Sequence, residues 1–294
     1  MRILPRLLAS MLLTLLGLAQ GPAPAGAAEN KAFLTSDRVR LHYIQDGPRA
    51  ASPRGVGTIV FVPGWSMPAW IFERQIAALA ANYRVVALDP RGQGTSDIAP
   101  SGYDHVRRGR DIAELIQILG DQPVVLVGWS LGVLDSLAYV HENGDSRIAG
   151  LVLVDNSVGE DPPPVAFPRA PGPKPPREVA MRGFVRGMFR TAQPEAWLDQ
   201  LTATALHMPE AAAKQILAYP VPRSYWKEAV YSTAKPVLYI ARPKFAGQAA
   251  NLAARHPTAE VVPLDGSLGH ALFVDDPNWF NTTLASFIWR RVWR

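Results

Sequence analysis

Short runs dominated by apolar, often β-branched residues recur along this chain. They cover Thr58 to Val62, Arg84 to Leu88, Val124 to Val127, Ile148 to Val154, Lys235 to Ile240 and Ala259 to Leu264. Runs of this length predict strands buried on both faces. A further strand is predicted over Val39 to Ile44, stopped by Asp46-Gly47. Between the runs the apolar positions follow a helical period, over Pro68 to Tyr83, Tyr103 to Leu119, Leu131 to Val140, about Gln248 to Ala254, and Phe280 to Val292. Strands alternating with helices predict an α/β fold, a mostly parallel sheet flanked by helices on both faces. Sites in such sheets gather beyond the carboxyl ends of the strands. Trp65, Asp89, Ser130 and Asp155 each stand just past a predicted strand.

The rhythm stops at Asn156. Residues 160–176 are dense in proline, which makes a stiff connector rather than a core element. Helical patterns follow over Arg177 to Arg190, Glu195 to His207 and Pro209 to Ala218, and Pro220 and Pro222 close the segment. Residues 156–233 are therefore expected to form a helical lid over the strand ends. The lid interrupts one core domain made of residues 29–155 and 234–294. Residues 1–28 read as a signal peptide: a basic start with Arg2 and Arg6, an apolar run from Leu7 to Ala19, and small residues at Ala25-Gly-Ala27. The run is short for a bilayer span. Export to a bacterial periplasm or beyond is expected, with no membrane span in the mature chain.

Composition narrows the chemistry. Hydrophobic residues make up 48% and charged residues 19%, which permits a sizeable core. With no cysteine, disulfides, thiol catalysis and thiolate metal sites are ruled out. The net charge of +5 falls to +3 without residues 1–28, which carry two arginines and no acid. So small an excess is no nucleic-acid footprint. The densest basic cluster, Arg107-Arg108-Gly-Arg110, is expected on a solvated helix face. No dinucleotide fingerprint and no histidine pair at ligand spacing is present, so neither a cofactor nor a metal is expected.

The strongest chemical signal lies at Gly128-Trp129-Ser130-Leu131-Gly132, between a strand and a helix. This is the G-x-S-x-G nucleophile elbow. Strand and helix cross closely at such a turn, so small residues are needed two places either side of the serine. The strain lifts the Ser130 hydroxyl out of the sheet, and the next N–H, that of Leu131, starts an oxyanion hole at the helix N-terminus. A serine hydroxyl needs a base to take its proton. Among six histidines, His270 alone sits in a loop just past the last strand, in Gly266-Ser-Leu-Gly-His270-Ala. His42, His105, His141, His207 and His256 fall at surface, helix or strand positions.

Four stretches together resemble the α/β-hydrolase superfamily: Phe61-Val-Pro-Gly64-Trp65, Asp89-Pro-Arg-Gly-Gln-Gly94, the elbow, and Gly269-His270-Ala. The branch they resemble is that of cofactor-free haloperoxidases, arylesterases and pimeloyl-methyl-esterase-like enzymes. The chain order Ser…His agrees with it. By this resemblance the Trp65 N–H is the second oxyanion donor. Asp89 and Arg91 are expected to fix a turn rather than to take part in the chemistry. The family commonly carries its acid after the strand that follows the lid. Here that strand ends in Ala241-Arg242-Pro243-Lys244, with no carboxylate between Thr233 and Glu260. Two substitutes remain open. Asp155 ends the strand after the nucleophile strand, an arrangement found in some members. Asp265 lies five residues before His270 and could equally be a turn former. The resemblance implies a serine hydrolase acting on a small ester with an apolar acyl part, through Ser130, His270 and one of these carboxylates. It implies no oligomeric state.

Overall fold

A computed structural model describes residues 28–48, 57–164, 173 and 175–293. The expected signal peptide therefore falls outside the described residues except at Ala28. Eight strands form one sheet: β1 (Glu29–Leu34), β2 (Arg40–Asp46), β3 (Thr58–Val62), β4 (Arg84–Leu88), β5 (Val124–Trp129), β6 (Ile148–Val154), β7 (Val237–Ala241) and β8 (Ala259–Pro263). Their spatial order is β1-β2-β4-β3-β5-β6-β7-β8. Pairing is antiparallel at β1/β2 and β2/β4 and parallel from β4 to β8.

Alternation of side chains sorts the strands into two cores. Val60, Val62, Leu126, Leu151 and Leu153 face one cluster. Ile59, Phe61, Val125, Val127, Val152 and Val154 face the other. β3, β5 and β7 are buried at every position, as their unbroken apolar runs require.

The helices of the α/β rhythm are α1 (Glu73–Leu79), α2 (His105–Ile118) and α3 (Leu131–Asn143). Four more lie between β6 and β7: α4 (Arg177–Gly187), α5 (Glu195–Ala205), α6 (Glu210–Ile216) and α7 (Arg223–Ser232). The chain closes with α8 (Ala246–Arg255), α9 (Leu272–Asp275) and α10 (Pro277–Phe287). Among the described residues no helix is long and apolar enough to cross a membrane.

Several elements differ from the sequence expectation. The helix expected over Pro68 to Tyr83 is a 3₁₀ turn at Ala69–Phe72 followed by the short α1. The last helix starts earlier, at Pro277, and gives way to a π turn at Ile288–Val292. α7 was not expected, because Pro222 reads as a stop. It stands instead at the N-cap, where its missing N–H costs nothing. β1 was also unforeseen: four of its six positions are exposed, so this edge strand makes no long apolar run.

The basic cluster is the largest correction. Only Arg110 is exposed. Arg108 is 1% exposed and bonds Asp135 through Nε at 2.8 Å. Arg107 bonds Asp111 and Glu114 at 2.7 Å each. Arg91, with its side chain fully buried, pairs with Asp111 and Asp37. Gly109 lets α2 approach α3 closely, since a Cβ there would lie 2.8 Å from the Tyr139 nitrogen. A buried charge is tolerable only when paired. Asp135→Ala would strand both Arg108 and His105, which bonds the same carboxylate at 2.7 Å. A loss of about 3–5 kcal/mol in urea unfolding is expected.

Candidate active site

The reversal of strand direction across the sheet creates the site. β3 leads outward to β4, but the next strand, β5, lies on the other side of β3. The carboxyl ends of β3 and β5 therefore flank a crevice. Ser130 ends β5 at φ 55°, ψ −124°, a conformation rare for a residue with a side chain. The close crossing explains the glycines. A Cβ on Gly128 would lie 2.4 Å from the Gly132 oxygen, and one on Gly132 would lie 2.2 Å from the Val62 oxygen. The Ser130 N–H donates to the Val154 oxygen at 2.9 Å, and Asn156 Nδ2 donates to the Ser130 oxygen at 2.8 Å, so β6 holds the turn from beside it.

His270 meets Ser130 from the loop after β8. Its Nε2 lies 2.7 Å from Ser130 Oγ, and its Nδ1 lies 2.5 Å from Asp155 Oδ2. Asp155 follows β6 at φ 52°, and its side chain is fully buried. Asp265 is not part of this chain of contacts. It is exposed and accepts from the Ser267 N–H at 2.8 Å, an Asx-type turn. Arg242, just past the end of β7, reaches back to the carboxylate. Its Nε donates to Asp155 Oδ2 at 2.6 Å, and its backbone N–H approaches Oδ1 at 3.3 Å.

The backbone that carries the imidazole is held at three points, residues 269, 270 and 271. Trp129 Nε1 donates to the His270 oxygen at 2.8 Å. The Ala271 N–H donates to the Met188 oxygen at 3.0 Å. Asp275 accepts from the Gly269 N–H at 2.6 Å and from the Arg190 and Thr191 N–H groups at 3.0 Å. Asp275 thus ties the histidine loop to the α4–α5 connection. Both aspartates before Pro277 read as helix starters, but only Asp276 caps α10, accepting from the Trp279 N–H. Burial lowers the His270 pKa below the ordinary imidazole value. Asp155 opposes that effect, and the cations Arg242 and Lys244 add to it.

Leu131 heads α3, so its N–H has no intrahelical acceptor. The Trp65 N–H has no protein acceptor among the described residues. Gln93 sets the plane of that peptide. Its Nε2 donates to the Gly64 oxygen at 3.0 Å and to the Met67 oxygen at 2.7 Å. In a planar trans peptide C=O and N–H point opposite ways, so anchoring the Gly64 carbonyl aims the Trp65 N–H away from Gln93. Arg108 Nη1 donates in turn to Gln93 Oε1 at 3.1 Å. Sequence reasoning missed Gln93, which lies inside the Asp89–Gly94 turn and carries no chemical signature of its own. Gly64 itself packs on the serine: a Cβ there would lie 2.8 Å from Ser130 Cβ.

The side chains of Trp65 and Trp129 lie in different settings. Trp129 is 1% exposed and packs among Phe72 and Phe273, so it supports the histidine from the core. Trp65 is half-buried, bonds the Ala213 oxygen of α6 at 2.8 Å, and meets Phe184 of α4 edge-on at 5.2 Å. Asp89 fixes its turn by accepting from the Ala69 and Thr95 N–H groups and from His42 Nδ1. His42 lies on β2 and His105 opens α2, as expected, and each has a carboxylate partner, Asp89 and Asp135, though neither imidazole bonds a serine hydroxyl. Glu160 is buried against Lys227 and Tyr231, and these partners hold its pKa down at about 2. The cavity of about 690 Å³ between Arg40, Asp97 and His207 touches none of the three central residues.

A parallel sheet covered by helices, with serine, imidazole and carboxylate in hydrogen-bond series at its carboxyl edge, defines the class of α/β hydrolases. The alpha/beta hydrolase family model matches residues 59–283, and the chain belongs to that family. Its curated relatives include a non-heme chloroperoxidase of Streptomyces lividans, 35% identical over 121 residues, and the bifunctional esterase/perhydrolase DCH of Acinetobacter calcoaceticus, 33% identical over 121 residues. Each match spans 41% of this chain and 42% of the relative. Among solved structures, an esterase from Exiguobacterium antarcticum superposes with a TM-score of 0.72 at 22% identity, covering 87% of this chain and 98% of that one. A bromoperoxidase from Bacillus anthracis gives 0.70 at 20% identity, covering 88% and 99%. These two similarities show the fold.

Proposed function

We propose that the chain is an exported serine hydrolase that cleaves a carboxylic ester through an acyl-enzyme. The observation that carries this reading is the unbroken hydrogen-bond series from Ser130 Oγ through His270 to Asp155. Ser130 Oγ attacks the ester carbonyl while His270 Nε2 takes its proton. The Leu131 and Trp65 N–H groups stabilise the oxyanion. His270 then protonates the departing alcohol. Water, deprotonated by the same nitrogen, releases the acid and restores Ser130. Asp155 keeps Nδ1 protonated and stabilises the imidazolium. Helices α4 to α7 act as a lid, and Trp65 with Phe184 offers an apolar face to the acyl part. The basic, apolar and small residues of positions 1–28 support export.

The test is labelling with a fluorophosphonate, followed by peptide mapping, together with turnover of p-nitrophenyl esters. One label on Ser130 and saturable ester turnover are expected. An unlabelled protein without turnover would mean a binding protein on this fold. A second reading shares the site: perhydrolysis, favoured by the relative named as an esterase/perhydrolase. Replacing water by hydrogen peroxide as acyl acceptor, and measuring peracid, separates the two.

The acid limb of the rate profile follows from His270. The base must be neutral to accept the serine proton, and burial depresses its pKa. Protonation then sets in only below the ordinary value of about 6.5, so kcat/KM should hold through that pH and fall in a more acidic range. Gln93→Ala leaves the Gly64 carbonyl held only by the Met67 N–H, at 3.2 Å, and so loosens the Trp65 donor. Loss of one oxyanion donor costs about 10²–10³ in rate. Misaiming it should lower kcat by about 10-fold to 10²-fold with KM little changed, whereas a mere packing defect would leave kcat near wild type.

A further inference from the structure

Arg242, the partner of Asp155, lines a second cavity, of about 210 Å³. Its walls are Arg190, Arg242, Pro243, Lys244, Gly266 and Leu268. Three cations line it and no acid does. They come from separate places: Arg190 from the connection after α4, Arg242 and Lys244 from the turn after β7. A volume of this size holds several waters at about 30 Å³ each, or one small polyatomic anion.

The hydrogen-bond ledger of these cations is unfilled. Arg242 spends only Nε on Asp155, and its Nη groups have no protein acceptor among the described residues. An arginine offers five N–H donors in a fixed fork, so the unfilled edge is preorganised for a planar or tetrahedral oxyanion. The Arg190 guanidinium has no protein partner among the described residues. The Lys244 ammonium lies 4.6 Å over the Phe245 ring and has no carboxylate. Of the three side chains only Arg242 bonds a carboxylate among the described residues, and that carboxylate, Asp155, also meets His270. The cations do not belong to a paired surface network like that of Arg290 and Arg291 on Glu260.

The backbone of the walls is fixed, though Arg190, Pro243 and Lys244 are themselves exposed. Arg190 is anchored through its own N–H to Asp275, the residue that fixes the histidine loop. Gly266 sits at φ 94° in the turn that Asp265 closes on Ser267. Pro243 fixes the backbone between the two β7 cations. Arg242 is common to the cavity and to the Asp155–His270 pair, so an occupant would share a ligand with the catalytic carboxylate.

We propose that this cavity is an oxyanion site, taking one carboxylate or phosphate group on Arg190, Arg242 and Lys244. The group is either a free anion or one carried by the substrate. Calorimetry with inorganic phosphate and with succinate at low ionic strength tests the site. One saturable site is expected, at least tenfold weaker in Arg190→Ala/Lys244→Ala and weakened by added salt. Wild-type binding no tighter than that of the double variant, or none, overturns the proposal.

Turnover plays no part in that measurement, so its outcome is separate from the hydrolase reading. Two further arms distinguish the sources. A substrate-borne group gives the p-nitrophenyl hemisuccinate a KM at least tenfold below that of the neutral butyrate ester, with the gap closed in the double variant. A free anion gives no such gap, and its binding survives fluorophosphonate blockage of Ser130.

Discussion

Ser130→Ala is expected to lower kcat on a p-nitrophenyl ester by about 10⁵–10⁶, leaving only the residue of catalysis that binding and the oxyanion donors supply. The expectation rests on what the substitution does and does not touch. Alanine keeps the Cβ that packs on Gly64, so the φ of 55° and the crossing of β5 over α3 persist at unchanged strain. The backbone bonds of the elbow, from the Ser130 N–H to Val154 and from Asn156 to the Ser130 oxygen, do not involve the hydroxyl. Only Oγ is lost, and with it the bond to His270 Nε2. The variant should therefore unfold at the wild-type urea midpoint while taking no fluorophosphonate. Retention of a tenth or more of wild-type turnover, after active-site titration to exclude contaminating wild type, would remove the nucleophile from position 130.

How far the sequence discloses this site depends on how local each piece is. The elbow is legible because its requirements are written within five residues: Gly128 and Gly132 are forced by contacts of 2.4 and 2.2 Å that any side chain would make. The buried strands are legible for a similar reason, since burial on both faces removes polar residues from the whole run. The acid is different. Whether Asp155 or Asp265 meets His270 depends on β6 lying next to β7 and on which way the loop after β8 turns, neither of which leaves a mark near either aspartate.

The paired charges are opaque in the same sense. The Arg107–Asp111 pair is an i,i+4 contact within α2, but Arg108 looks like part of a solvated face until Asp135, 27 residues further on, is brought opposite it. Gln93 and Asp275 act through bonds to backbone groups of distant segments, Gly64 in one case and Gly269 with Arg190 in the other. Such roles follow from tertiary geometry, and residue type carries no sign of them. Pro222 shows a local signal with two meanings: it ends one helical pattern and starts the next, and only the apolar spacing of Tyr225, Trp226, Ala229 and Val230 separates these.

Asp155→Asn is expected to reduce kcat by about 10⁴, the loss that follows when a buried carboxylate beside a catalytic imidazole becomes an amide. The shape is preserved but the chemistry is not. An amide cannot stabilise the imidazolium by charge, and its NH₂ favours the tautomer that leaves Nε2 protonated and unable to accept from Ser130. This chain adds a further penalty. Arg242, now 2.6 Å from Asp155 Oδ2, would face His270 without its counter-charge. The carboxylate raises the His270 pKa, whereas Arg242 and Lys244 lower it. Removing the carboxylate moves the acid limb of kcat/KM still lower in pH, so the lost rate cannot be recovered by raising pH. Asp265→Asn is the control, since it alters only an exposed turn on Ser267 and should leave kcat within about twofold. If the two variants ranked the other way, the imidazole would be steadied by the loop that carries it, and Asp155 would be reduced to a partner of Arg242.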